Sequence, residues 1–241
     1  MNHSTSAALV ANFCLNNFTD LDQAKLDREY YYAHLPLCVI DSVFSMGVKY
    51  ESVRNVVTRI KGFFHNTTYR EFGSEPKSTA DQISITEFRR KLANQTPEEL
   101  ATHVYGNKQR TSSQNGILKA EAVNLFLEVL VKYEVDYFQD VTKLIGNGDF
   151  KKDIKRIPGQ ASGICLSYFF MLAGNDTLIK PDRMVEAFLE GIVGRKCTLT
   201  ESQNLLAEAS NLLCEQGYEM NPRLLDNVIW NYQRKLVITK G

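Results

Sequence analysis

The sequence predicts an all-α fold, and three observations carry that expectation. Apolar residues return at every third or fourth position through most of the 241-residue chain, the spacing of one buried helix face. Almost nowhere do they alternate with polar residues, so no half-buried strand is expected. Hydrophobic residues make up 44% and charged residues 23%, which supplies a core without the bias of disordered, collagen-like or low-complexity chains.

About ten helices follow from that pattern. The first are expected over residues 7–18, 35–46 and 51–64, each with apolar residues on one stripe. Residues 70–81 are polar and bear Gly, Ser and Pro, which reads as a surface loop. Helices are next expected over 85–93 and 97–105; the second opens with Thr96 before Pro97, Glu98 and Glu99, an N-cap, an N1 proline and acids in the first turn. Residues 106–116 form a second polar loop. The clearest helix follows, with Leu118, Ala122, Leu125, Val129 and Tyr133 on one stripe. Further helices are expected over 137–145, 161–172, 183–192, 200–214 and 222–235, the last capped by Asn221 before Pro222.

Charge and composition narrow the function classes. Twenty-eight Lys plus Arg against 28 Asp plus Glu give zero formal charge, which argues against polyanion binding through the whole surface. The five cysteines are scattered without a Cys-x-x-Cys pair, and the four histidines never stand four apart. Reduced thiols and no metal site are therefore expected. No basic residue precedes Lys25, so the basic region of a signal peptide is missing, and no apolar run reaches the roughly 18 to 20 residues of a membrane span. A cytoplasmic monomer without membrane contact is expected. No P-loop, nucleophile elbow or dinucleotide fingerprint is present.

One stretch concentrates the chemistry. Lys151, Lys152, Lys155 and Arg156 lie within six residues against the single acid Asp153, a local basic run that suits phosphate. It leads into the turn Ile157, Pro158, Gly159, Gln160, Ala161, Ser162, Gly163. There glycine permits positive φ, and the helix that follows begins with amides that have no intrahelical acceptor. Asp182 comes nineteen residues after Gly163 and opens an amphipathic helix. Each feature has an ordinary reading: a solvated charge run, a Pro-Gly turn, an N-cap aspartate.

Their order and spacing resemble the helix-hairpin-helix DNA glycosylase superfamily, in which a hairpin close to L-P-G-x-G is followed by an apolar helix and a catalytic aspartate. Ile157 to Gly163 and Asp182 stand in that register. More weakly, LPLCVIDSVFSMGVKYESV looks like the family's early core helix and DNA-inserting loop, LKAEAV like its K-A-E helix start, and LLDNVIWNYQRK like its closing helix. The resemblance covers most of the chain from about Leu35. It implies a central bundle over residues 36–175 carrying the hairpin, a second helical subdomain from residues 1–35 plus 176–241, and an active-site cleft between them.

The resemblance implies duplex DNA as partner and Asp182 as the catalytic carboxylate. Gly159, Gln160, Ala161, Ser162, Gly163, Lys155, Arg156 and Lys119 become the DNA contacts, with residues 46–49 as the wedge that replaces a flipped base. Lys108 and Arg110 flank a loop that the resemblance puts on the same side. Two departures matter. Ala161 stands at the second hairpin glycine, where it disfavours positive φ. Gly163 stands where lyase members carry the Schiff-base lysine, so no covalent imine is expected from that position. The iron–sulfur cysteines of some members are absent, and no cofactor is expected beyond a monovalent cation that the hairpin could hold. Tyr30, Tyr31, Tyr32, Phe63, Phe64 and Trp230 are the aromatics available to a base pocket, none of them assigned to it. The implied activity is monofunctional base excision, in repair or against modified foreign DNA. Two readings stand beside it, a hairpin module that grips DNA without chemistry and a helical interaction scaffold.

Overall fold

The computed structural model describes residues 3–71, 74–174 and 183–239. All are helical or irregular: no strand forms among them, and the only sheet-like pairs are isolated antiparallel bridges, Tyr32 with Tyr69 and Arg110 with Leu118. The α-helices in chain order are α1 His3–Asn17, α2 Leu35–Phe44, α3 Tyr50–Ile60, α4 Ile85–Leu92, the single turn α5 Pro97–Glu99, and α6 Lys119–Lys132. After them come α7 Gly148–Arg156, α8 Ile164–Leu172, α9 Arg183–Val193, α10 Leu199–Glu215 and α11 Pro222–Thr239. No helix among the described residues is long and apolar enough to cross a membrane.

The chain divides into two compact units, one running from Arg28 to Ala173 and the other built from the residues before and after it. The sequence reading sets these boundaries at 35/36 and 175/176. In the continuous unit, α2 is the central rod: all ten of its residues are buried, and it packs against α3, α4, α6 and α8. Aromatic rings extend the core from it. His34 stacks on Phe64 and Phe64 on Phe88, while Phe126, Phe169, Phe170 and Phe150 form a second chain of ring contacts. In the discontinuous unit, α1 packs on α10 and α9 on α11. Val10, Cys14, Val185, Leu189, Leu206, Leu213 and Ile229 are buried there, and Phe13 makes edge contacts with Phe18, Phe188 and Tyr232.

The caps read from the sequence are in place. Thr96 and Glu99 form a reciprocal capping box, and Asn221 Oδ1 accepts the Leu224 amide at 2.8 Å. Four segments differ from a plain α-helix. Residues 61–64, expected to continue α3, tighten into a 3₁₀ turn. Residues 100–104 widen into a π turn, closed by Tyr105 N donating to Leu100 O at 2.9 Å. Residues 138–144 wind as a 3₁₀ helix, because Asp140 folds back to accept the Asp136 and Tyr137 amides. The helix expected from residue 161 begins at Ile164, because Gly163 takes φ +79°.

Candidate nucleic-acid interface

In the continuous unit, α7 and α8 are joined by residues 157–163, where the sequence reading expects the hairpin, in a tight connection. Gly159 has φ +86° and Gly163 φ +79°; an L side chain at either would be strained. The turn is closed by Gln160 N donating to Ile157 O at 2.9 Å and Gly163 N donating to Gln160 O at 3.1 Å. Pro158, Gly159, Ala161 and Ser162 are exposed, whereas Gln160 is buried as the anchor. The amides of Gly159, Ala161 and Ser162 have no acceptor among the described residues. Ala161 keeps a negative φ, so the hairpin accommodates it by placing its positive-φ residues at 159 and 163.

Lys155 reaches forward from α7 over this turn. Its Cε lies 2.9 Å, and its Nζ 3.5 Å, from the point a Cβ on Gly163 would occupy. The ammonium therefore stands beside the N-terminus of α8, whose first turn holds no acidic residue. No carboxylate among the described residues pairs with Lys155 or Lys151. A helix N-terminus carries partial positive charge and exposed N–H groups, so a lysine here repels it unless an anion sits between them. Cation and helix end therefore meet at Gly163, an arrangement that favours negative charge there.

The other basic residues divide. Arg156 is exposed but bonds Asp153 Oδ1 at 2.9 Å, and Lys152 bonds Asp149 at 2.9 Å. Asp153 also accepts from Lys132 at 2.6 Å and from Tyr133 Oη at 2.9 Å, and these donors hold its carboxyl below the usual range. Arg156 thus leans toward α6, through an exposed pair worth little in water. Lys119 is a correction to the sequence reading. It is 1% exposed, and its ammonium donates to the carbonyls of Phe44 and Met46 at 2.9 and 2.8 Å and to Gln109 Oε1 at 3.4 Å. It caps the C-terminal end of α2 and supports the turn after it, which takes it out of the set of DNA contacts. Burial forces this: a lysine with no access to water must spend its protons on protein oxygens.

The loop before α6 stands next to the hairpin. Thr111 packs on Gly159 so closely that a Cβ there would come within 2.4 Å of Thr111 Cβ. Two buried oxygens beside this contact, Thr111 Oγ1 and Gln160 Oε1, have no hydrogen-bond partner among the described residues. Asp182 lies outside the described residues, and so does the segment linking α8 to α9.

Sequence reasoning missed one polar centre. Asp41 is fully buried within α2 and its Oδ2 accepts from Tyr32 Oη at 2.8 Å and from Tyr50 Oη at 2.7 Å. Burial first, and the carboxylate second, hold Tyr32, Tyr50 and Tyr168 well above the ordinary phenol range. Tyr32 also stacks on Tyr69. The signal was present: a lone acid inside the apolar run from Leu35 to Phe44 needs a buried partner. Three of the candidate pocket aromatics, Tyr30, Tyr32 and Phe64, are buried in this unit's core.

Compared with family models, residues 8–234 match a family described as a domain of unknown function (DUF8548). No match is found among curated proteins or among solved structures.

Proposed function

The chain belongs to the DUF8548 family, and from its own residues we propose that it is a monofunctional DNA glycosylase. It flips a modified or mispaired base from duplex DNA and hydrolyses the N-glycosidic bond, leaving an abasic site. The observation that carries this reading is the anion site at the hairpin. Lys155 stands beside the α8 N-terminus, the amides of Gly159, Ala161 and Ser162 in the same turn have no acceptor among the described residues, and a backbone phosphate of DNA supplies the negative charge this arrangement favours.

The chemistry rests on the spacing from that hairpin to Asp182. As the base departs, positive charge grows on the deoxyribose, and a carboxylate on one ring face stabilises it and orients water for attack at the anomeric carbon. The C–N bond breaks with its electron pair leaving on the base, while water supplies the hydroxyl and the proton. Gly163 offers no amine, so no imine forms from that position and the strand is not nicked. A second reading is a hairpin module that grips DNA without chemistry. It draws on the same anion site, which is complete without Asp182.

Excision separates the two. Duplexes carrying alkylated, oxidised, deaminated or otherwise substituted bases are incubated with the protein and then treated with alkali, which cleaves at abasic sites. We expect at least one to be cut. Asp182→Asn should lower excision by at least a hundredfold with duplex affinity within twofold, and borohydride should trap no adduct. Undiminished excision by Asp182→Asn removes that residue from the mechanism; duplex binding without excision of any base favours the binding module.

A further inference from the structure

The polar loop over residues 106–116, with the residues that close it, is specifically built. It is a two-stranded turn, held by Thr111 N donating to Ile117 O at 2.9 Å and Lys119 N donating to Gln109 O at 2.8 Å. Arg110 Nη1 donates to Gly116 O at 2.6 Å. Gly116 lies so close to Ser112 that a Cβ would come within 2.4 Å of its amide nitrogen. The tip is thus fixed rather than loose, and Ser112, Ser113, Gln114 and Asn115 are all exposed on it.

What the tip presents is donors. The amides of residues 112–116 have no acceptor among the described residues; Ser112 Oγ donates to Gln114 O at 2.5 Å, and the exposed Ser113, Gln114 and Asn115 add a hydroxyl and two side-chain amides. No Asp or Glu occurs from residue 100 to residue 120. Lys108 and Arg110 are exposed and make no ion pair among the described residues. Through Thr111, this turn is in van der Waals contact with Gly159 of the hairpin. Two donor-rich, acid-free turns therefore lie side by side on one face of the same unit.

We infer that the turn over residues 108–116 is a second phosphate-binding element, which holds the sugar–phosphate backbone beside the phosphate held by the hairpin. Its ligand is the DNA strand itself. Main-chain amides and short polar side chains fix register without reading bases, and a pre-formed turn loses little freedom on binding. The inference rests on the reading of the hairpin as a DNA contact.

Duplex binding by the full-length chain, followed by fluorescence anisotropy across a salt series, tests it. The double variant Ser113→Glu/Gln114→Glu should weaken affinity at least fivefold at low salt, and Ser113→Lys should tighten it at least twofold. Asn204→Glu on α10, which adds one of the same charges at another exposed site, should change neither. Unchanged affinity in both tip variants, with Lys155→Ala still weakening binding, overturns this inference and leaves the hairpin reading intact. Failure of the unaltered protein to bind duplex DNA overturns both.

Discussion

His34 shows how much one side chain's surroundings decide. It precedes α2, is buried, stacks on Phe64, and its Nδ1 accepts the Ile83 amide at 2.9 Å. Burial pushes its imidazole down from 6.5 to about 4. The unfolded chain therefore takes up a proton at this ring below pH 6.5, whereas the folded chain resists until about 4. Between those values the unfolded state binds more protons, so stability should fall as pH is lowered through that window. His34→Asn keeps an acceptor for Ile83 and cannot titrate; Tm measured from pH 7 to 4.5 should decline less steeply in it, and an equal decline would exclude His34 as the cause. Lys119 is a second case. Removing its ammonium in Lys119→Met leaves the carbonyls of Phe44 and Met46 without that donor, which should cost roughly 2–4 kcal/mol in urea unfolding. Little loss would mean water replaces the ammonium. Neither environment is legible in a sequence, where a lone histidine or lysine reads the same whether wet or buried. A single acid in an apolar helix is legible, and Asp41 was there to be seen.

At the level of elements, local chemistry was largely readable because caps and periodicity are local. Thr96, Asn221 and the stripe of α9 place their helices from residues within a few positions, whereas α6 buries Val123, Phe126, Leu127 and Leu130 and leaves Leu125, Val129 and Tyr133 of the expected stripe only half-buried. What escaped depends on long-range packing or a side chain's choice of partner: the π turn at 100–104, the 3₁₀ winding around Asp140, and the seat of Thr111 on Gly159. That last contact makes the hairpin's first glycine obligatory on two counts. Gly159→Ala meets a left-handed backbone penalty and a side-chain collision, together about 2–4 kcal/mol. Adding Thr111→Gly should recover the collision and leave the backbone part; full recovery in chemical denaturation would show the φ constraint to be relaxed. Of the candidate contacts, the hairpin and Lys155 were visible as a motif, because their relation is set by consecutive residues. The contact of the neighbouring turn with the hairpin was not, because Thr111 and Gly159 stand 48 positions apart in the chain.

For the whole molecule, zero net charge argued against nucleic acid until the distribution was followed. Several basic residues spend themselves on acids, as in Arg54 with Glu29, Arg89 with Glu128 and Arg195 with Glu201. Those without such partners include Lys108 and Arg110 on the loop, Lys155 over the hairpin, and Lys151 in the preceding α7. If these four meet phosphates, the logarithm of the DNA association constant should fall against the logarithm of salt with a slope of about −3 to −4. A slope near zero would rule out phosphate contact by this face. Affinity of that modest kind suits the proposed glycosylase, which would have to leave unmodified sites.

The arrangement of the second unit bears on how the chain comes into being. Its helix α1 is made well before α10, yet Val10 and Cys14 find Leu206 and Leu213 only when α10 has been added. At roughly 5–20 residues per second, that apolar stripe waits on the order of ten to forty seconds at the ribosome. The unit from Arg28 to Ala173 can meanwhile close on its own core. During synthesis, then, α1 is the segment most in need of a chaperone.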